Sequence, residues 1–336
     1  MPVDFLDLDD FVLEGGATLR PARLAYRTYG TLDERGANAI LYPTAYADRH
    51  PNNEWLIGPG APLDTDRYFV VVPNLFGNGL SSSPSNTPAP YDGPHFPRVT
   101  VRDNVAAQRR LVEHLGITRL ALVTGWSMGA AQTYQWAVSH PDLVERALPF
   151  CGSPRTSPHN KVFIEGLRAA LTADAAFAAG RYDRSPTTGL RAFARVYAGW
   201  GFSQAFYWHE QWRDLGFSSL EDFIANWWEA TFLGHDANDL LAMLDTWQAA
   251  DVGGTPGHGG SLESALGAIE APVLSLPAEK DLYFPPEDER WASGYIRRGE
   301  VRVIPGIWGH LAGRGANPKD NDVIGDAIRE LLARPA

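Results

Sequence analysis

Residues 120–138 of the 336-residue chain constrain its fold most. Leu120-Ala-Leu-Val123 is an uninterrupted apolar run, the signature of a strand buried on both faces. Gly125-Trp-Ser-Met-Gly129 follows, and after it a helix-compatible segment ends near His140-Pro141, because proline disfavours helix in the residue before it. Strand, tight turn and helix form the context in which a G-x-S-x-G pentapeptide holds a nucleophilic serine clear of the sheet. Chance could place the pentapeptide alone in a chain with 33 glycines, but the flanking strand and helix favour a catalytic Ser127. The helix behind Ser127 aims its first N–H groups and its positive dipole end at the hydroxyl.

The same α/β rhythm extends on both sides. Asp10–Leu13 and Ala22–Tyr29, separated by Gly15-Gly16, predict antiparallel strands. Ala39–Tyr42 and Tyr68–Val72 predict buried strands, Val101–Leu115 an amphipathic helix, and Val144–Phe150 the strand after Ser127. Ala271–Leu276, Pro286–Tyr295, Val301–Ile304 and Asp322–Leu332 predict a closing strand, helix, strand and helix. That order implies an α/β fold, a mostly parallel central sheet with helices on both faces.

Between these blocks the rhythm breaks. Lys161–Leu171, Gly189–Tyr197, Leu220–Trp228 and Asn238–Ala249 read as helices with no buried strand between them, and six of the eleven tryptophans fall here. Residues 156–268 therefore predict a helical cap inserted into a core domain made of 1–155 and 269–336. Most of these aromatics are expected to pack the cap, and a few to face a cleft between cap and sheet. Gly253–Gly260 reads as a flexible connector.

A serine hydroxyl needs a base, and the base needs an orienting acid. In this architecture they follow in the order Ser, acid, His. Among nine histidines, His310 alone lies in the loop after the last predicted strand. Asp281 follows the penultimate strand, with Glu279 as its rival. One oxyanion donor is expected at the Met128 backbone N–H, the other at Thr44, Ala45 or Tyr46 after the strand Ala39–Tyr42.

Other chemistries are excluded or weak. The net charge of −11 argues against nucleic acid and anionic membranes as partners. No run approaches eighteen apolar residues, and the acidic N-terminus lacks the basic n-region of a signal peptide, so a cytoplasmic protein is expected. Cys151 is the single cysteine and reads as a buried core thiol. Gly77-Asn-Gly79 is not a dinucleotide fingerprint, and no zinc-ligand spacing occurs, so no cofactor or metal is expected.

Leu56-Ile-Gly-Pro-Gly60, Leu63–Tyr68, Phe96–Asp103 and Gly125–Gly129 with Gln132 and Trp136-Ala-Val138 resemble the homoserine O-acetyltransferase family of the α/β-hydrolase superfamily. The resemblance implies the α/β-hydrolase fold, Ser127 as nucleophile, Asp281 as acid and His310 as base. It also implies Tyr46 as second oxyanion donor, Arg195 as a partner for a substrate carboxylate, and a homodimer built through the cap. Three departures stand out. Leu311 follows His310 where the family has an aspartate for the homoserine ammonium. Val196–Phe202 and Thr44-Ala-Tyr-Ala47 also differ from the family's phrases. Leu311 would instead line an apolar substrate site. The expected activity is hydrolysis of small acetate-type esters through an acyl-serine. The alternatives are acetyl transfer from acetyl-CoA to homoserine and, from another class, a non-catalytic binding protein on the same fold.

Overall fold

The computed structural model describes residues 3–335. β1 (Asp4–Val12) and β2 (Thr18–Tyr29) pair antiparallel around the Gly15-Gly16 turn, and β1 alternates between solvent and core only loosely. β3 (Ala39–Leu41) is fully buried. β4 (Ile57–Gly58) and β5 (Leu63–Asp64) make a small separate ladder. β6 (Phe69–Pro73), α1 (Val101–His114), β7 (Leu120–Trp126), α2 (Met128–Ser139) and β8 (Ala147–Phe150) then alternate. α1 starts where a capping box forms: the Thr100 hydroxyl accepts from Asp103 N–H while the Asp103 carboxylate accepts from Thr100 N–H.

The insert holds α3 (Pro158–Thr172), α4 (Thr187–Gly201), α5 (Gln204–Trp208), α6 (Leu220–Phe223), α7 (Ala230–Leu233) and α8 (Ala237–Gln248). A π-helical turn, Ile224–Glu229, joins α6 to α7, so the expected helix Leu220–Trp228 runs on to Leu233 with a bulge in its middle. α9 (Leu262–Gly267), β9 (Val273–Ser275), α10 (Pro286–Ser293), β10 (Gly299–Val301) and α11 (Pro318–Ala333) complete the chain.

The sheet has eight strands in the order β1-β2-β6-β3-β7-β8-β9-β10. From β6 to β10 all pairs are parallel; β2 joins them antiparallel. Strands buried on both faces need apolar residues throughout, which is why Leu120–Val123 and Val70–Val72 carry no alternation. One apolar cluster joins α11 and the insert to one face of the sheet; the other joins α1, α9 and α10 to the opposite face.

Two expectations are corrected. The last strand forms at 299–301, not at Val301–Ile304: Gly299 pairs with Val273, and Ile304 makes only a single bridge to Ala278. Gly253–Gly260 is not a loose connector, because successive backbone bonds (Thr255 to Val252, His258 to Thr255, Gly260 to Gly253) tie it into turns. The segment Val252–Leu266 also packs into the cluster on the side away from the insert, so the helices gathered over the other face end with α8. Cys151 is buried as expected, and burial pushes its thiol well up.

Behind the sheet, Glu289 of α10 is buried against Tyr134 of α2, whose hydroxyl also meets Ser275 of β9 at 2.6 Å. Burial pushes Glu289 from 4.5 up to about 7. The folded protein therefore holds a proton that the unfolded chain releases, and this stabilisation is present below pH 4.5 and lost as pH rises to about 7. Glu289→Gln is expected to flatten the fall in stability across that window, by up to about 1.4 kcal/mol per pH unit. Urea melts at pH 5, 6 and 7 measure it; an unchanged slope would show that Glu289 is ionised throughout.

Candidate active site

Ser127 sits between β7 and α2 with φ 57° and ψ −118°, a conformation that a non-glycine residue adopts only when its surroundings impose it. They do. A Cβ on Gly125 would lie 2.4 Å from the Gly129 carbonyl carbon, and a Cβ on Gly129 would lie 2.7 Å from the Pro43 carbonyl oxygen. The two glycines of the pentapeptide are thus where turn, helix and the preceding loop touch backbone to backbone.

Ser127 Oγ lies 2.9 Å from His310 Nε2, and His310 Nδ1 lies 2.8 Å from Asp281 Oδ2. Asp281 Oδ1 accepts from the backbone N–H groups of Tyr283 at 2.8 Å and Phe284 at 3.1 Å. Its carboxylate is thereby held on three sides in a site where the His310 and Asp281 side chains are 1% and 0% exposed. Glu279, the rival acid, is instead half-exposed and paired with Lys280 at 3.1 Å. Tyr283 packs edge-on against the imidazole with centroids 4.7 Å apart, and Trp126 stacks at 5.0 Å.

The loop after β3 runs beside the start of α2. Gln132 Nε2 donates to the Thr44 carbonyl at 3.0 Å and fixes it there. The Thr44 N–H is committed to Pro73. Among the described residues, the N–H groups of Ala45, Tyr46 and Met128 have no backbone or side-chain acceptor. The Tyr46 hydroxyl points the other way and donates to Leu240 of α8 at 3.2 Å.

A cleft of about 90 Å³ opens on to His310 between sheet and insert. Tyr46, Trp126, Tyr197, Trp228, Phe232 and Leu311 form its apolar walls, and Asp48 and Arg314 supply its charge. Trp227 and Trp228 reach it from the π-helical turn, a local widening that recurs at functional sites.

The family model for the alpha/beta hydrolase fold matches residues 52–312. This chain belongs to that family. It is 38% identical over its whole length to an ethyl acetate hydrolase of Pseudomonas veronii, covering 97% of that protein. It is 31% identical to a homoserine O-acetyltransferase of Trichormus variabilis, over 90% of this chain and 87% of that one. An acetylester hydrolase from Corynebacterium glutamicum superposes with a TM-score of 0.96 at 37% identity, over 99% of this chain and 96% of that structure. The fold read from the sequence is thus the α/β-hydrolase fold, and the chain is an enzyme of that family.

Within this α/β-hydrolase the structure joins Ser127, His310 and Asp281 in one hydrogen-bonded chain, with Met128 next to Ser127, and brings His310, Tyr46 and Leu311 to the cleft wall, but not Arg195. Arg195 lies on the half-exposed side of α4 and is already engaged: its Nε donates to Glu229 at 2.7 Å and its guanidinium pairs with Glu221. Glu229 is shared with Arg191, so the pairing is a surface cluster on α4 beside the cleft lining rather than part of it. Asp48 and Arg314 are the site residues that the sequence reading missed. They lie 266 positions apart, and no motif links them.

Proposed function

We propose that this α/β-hydrolase hydrolyses small acetate-type carboxylic esters through an acyl-serine. The hydrogen-bonded chain from Ser127 through His310 to Asp281, opening on an apolar cleft, carries this reading. In it, His310 Nε2 takes the Ser127 proton as Oγ attacks the acetyl carbonyl. Asp281 orients the imidazole and balances its charge. The oxyanion is received by the backbone N–H groups of Met128 and Tyr46, two donors with no other acceptor. His310 returns the proton to the departing alcohol. Water then repeats the attack and frees acetate.

In the same reading the insert between β8 and β9, expected as residues 156–268, acts as a lid whose aromatic residues keep large acyl groups from Ser127. Leu311 contributes to the apolar wall. Acetate esters of the kind named for two of the relatives fit this space. The protein works in the cytoplasm and dimerises through the insert, where Trp208 stands 84% exposed.

Purified protein offered p-nitrophenyl acetate and, separately, acetyl-CoA with homoserine decides the reading. Release of p-nitrophenol together with a single fluorophosphonate adduct on Ser127 is expected. O-acetylhomoserine formation at a comparable rate, or an adduct at another residue, overturns it.

A further inference from the structure

Asp48 is buried beside the cleft and its carboxylate meets Arg314 Nη1 at 2.7 Å. Arg314 ends the short helical run Gly309–Arg314 that contains His310. Its guanidinium lies over the Trp126 ring, 5.5 Å from the centroid. Trp126 in turn stacks on His310 and donates its Nε1–H to the His310 carbonyl at 3.1 Å. Gly313 makes this possible, because a Cβ there would lie 2.2 Å from the indole. The four side chains form one continuous stack with the imidazole at one end and a partly buried ion pair at the other.

We propose that the Asp48–Arg314 pair is a positioning and charge-balancing unit for His310. The argument rests on the hydrolytic reading above, in which His310 acts as base. An ion pair within reach of an imidazole presents nearly no net charge to it, while either partner alone would present a full one. Burial pushes the Asp48 carboxyl up, and Arg314, with a smaller contribution from His310, holds it back down. The other groups facing the site add little. Asp281 is common to all variants. The phenols of Tyr42, Tyr46, Tyr197 and Tyr283 are pushed up by burial and stay neutral. His235, on the Arg314 side, is pushed down to about 4 by burial and by Arg49 and Arg314, and is neutral as well.

The pair makes opposite predictions for its two halves. Asp48→Asn leaves the guanidinium unpaired, which disfavours the imidazolium, so the acid limb of kcat/KM for p-nitrophenyl acetate should move to lower pH. Arg314→Met leaves the carboxylate unpaired, which favours the imidazolium, so the same limb should move to higher pH. Each shift is expected to be about half a pH unit or more. Each single variant should also lose about tenfold in kcat with KM nearly unchanged, since the Trp126 stack loosens. The double variant, Asp48→Asn with Arg314→Met, should bring the limb back to the wild-type position although kcat stays low. If Arg314→Met does not fold, Asp48→Asn and the double variant decide alone. Limbs that stay put, or that move the same way in both single variants, overturn the proposal. Inactive wild-type protein, or full activity in Ser127→Ala, would instead overturn the hydrolytic reading, so the two failures are distinguishable.

Discussion

Ser127→Ala is expected to lower kcat for p-nitrophenyl acetate by about 10⁴-fold or more, while the melting temperature stays near that of the wild type. The first half follows from chemistry: without Oγ there is no acyl-enzyme, and the imidazole and the oxyanion donors retain only their assistance to direct attack by water. The second half follows from geometry. The strained backbone at position 127 is imposed by the contacts of Gly125 and Gly129 and by the bond from Ser127 N–H to the Phe150 carbonyl at 3.0 Å. None of these involves the hydroxyl, and alanine is no larger than serine. Steady-state rates and a thermal melt on the same preparation measure both. A variant that keeps a tenth of the activity would remove Ser127 from the chemistry. A variant that loses activity because it no longer folds is recognised by the melt and by lost near-ultraviolet circular dichroism.

Much of this site was legible before any coordinates, and for a physical reason. Ser127 and Asp281 lie at the carboxyl end of a buried strand or in the loop beyond it, and such strands announce themselves as apolar runs, whereas His310 follows the partly exposed edge strand β10 and was placed by chain order. Local signals and chain order therefore sufficed to place all three. Asp281 was preferred to Glu279 on the sequence, but the reason lies in which side chain turns inward: the backbone N–H groups of Tyr283 and Phe284 capture Asp281. The shape of the insert was less legible. Its helices were visible, but the π-helical turn that presents Trp227 and Trp228 has no local signature, and the glycine-rich stretch Gly253–Gly260 looks loose until its bonds to neighbouring turns are seen. The pairing of Arg195 with Glu221 and Glu229 was not legible, because an arginine has the same sequence appearance whether it awaits a ligand or is already paired. Asp48 and Arg314 were invisible for the converse reason: a contact between distant positions leaves no trace in spacing.

Leu311→Asp is expected to slow hydrolysis of p-nitrophenyl acetate by about tenfold or more, and the wild-type protein to transfer a negligible share of its acetyl groups to homoserine. Both results come from the charge inventory of the cleft. A transferase must outcompete water at about 55 M, so it has to hold its alcohol by contacts worth several kcal/mol. Homoserine offers an ammonium and a carboxylate for that purpose. Arg195, the expected partner of the carboxylate, is occupied outside the cleft by Glu221 and Glu229. The ammonium fares no better. Leu311 stands where it would need an acid, Asp236 caps α8 and accepts from Tyr182, and Asp239 is bonded to Ser85. Asp48 does line the cleft, but Arg314 already holds its carboxylate. An ammonium brought into this aromatic space is left unpaired, at a cost of several kcal/mol. A neutral acetate ester meets no such cost. An aspartate at 311 reverses the balance for the ester: it places a carboxylate against Trp228 and beside Gly201, where the Leu311 side chain now packs, and adds a second acid next to the Asp48–Arg314 pair. Product analysis by mass spectrometry, with p-nitrophenyl acetate as donor and homoserine at millimolar concentration, measures the partition between acetate and O-acetylhomoserine. A wild-type kcat/KM for homoserine at or above that for simple acetate esters would show that the cleft holds an ammonium by groups other than these, and would return the protein to the transferases.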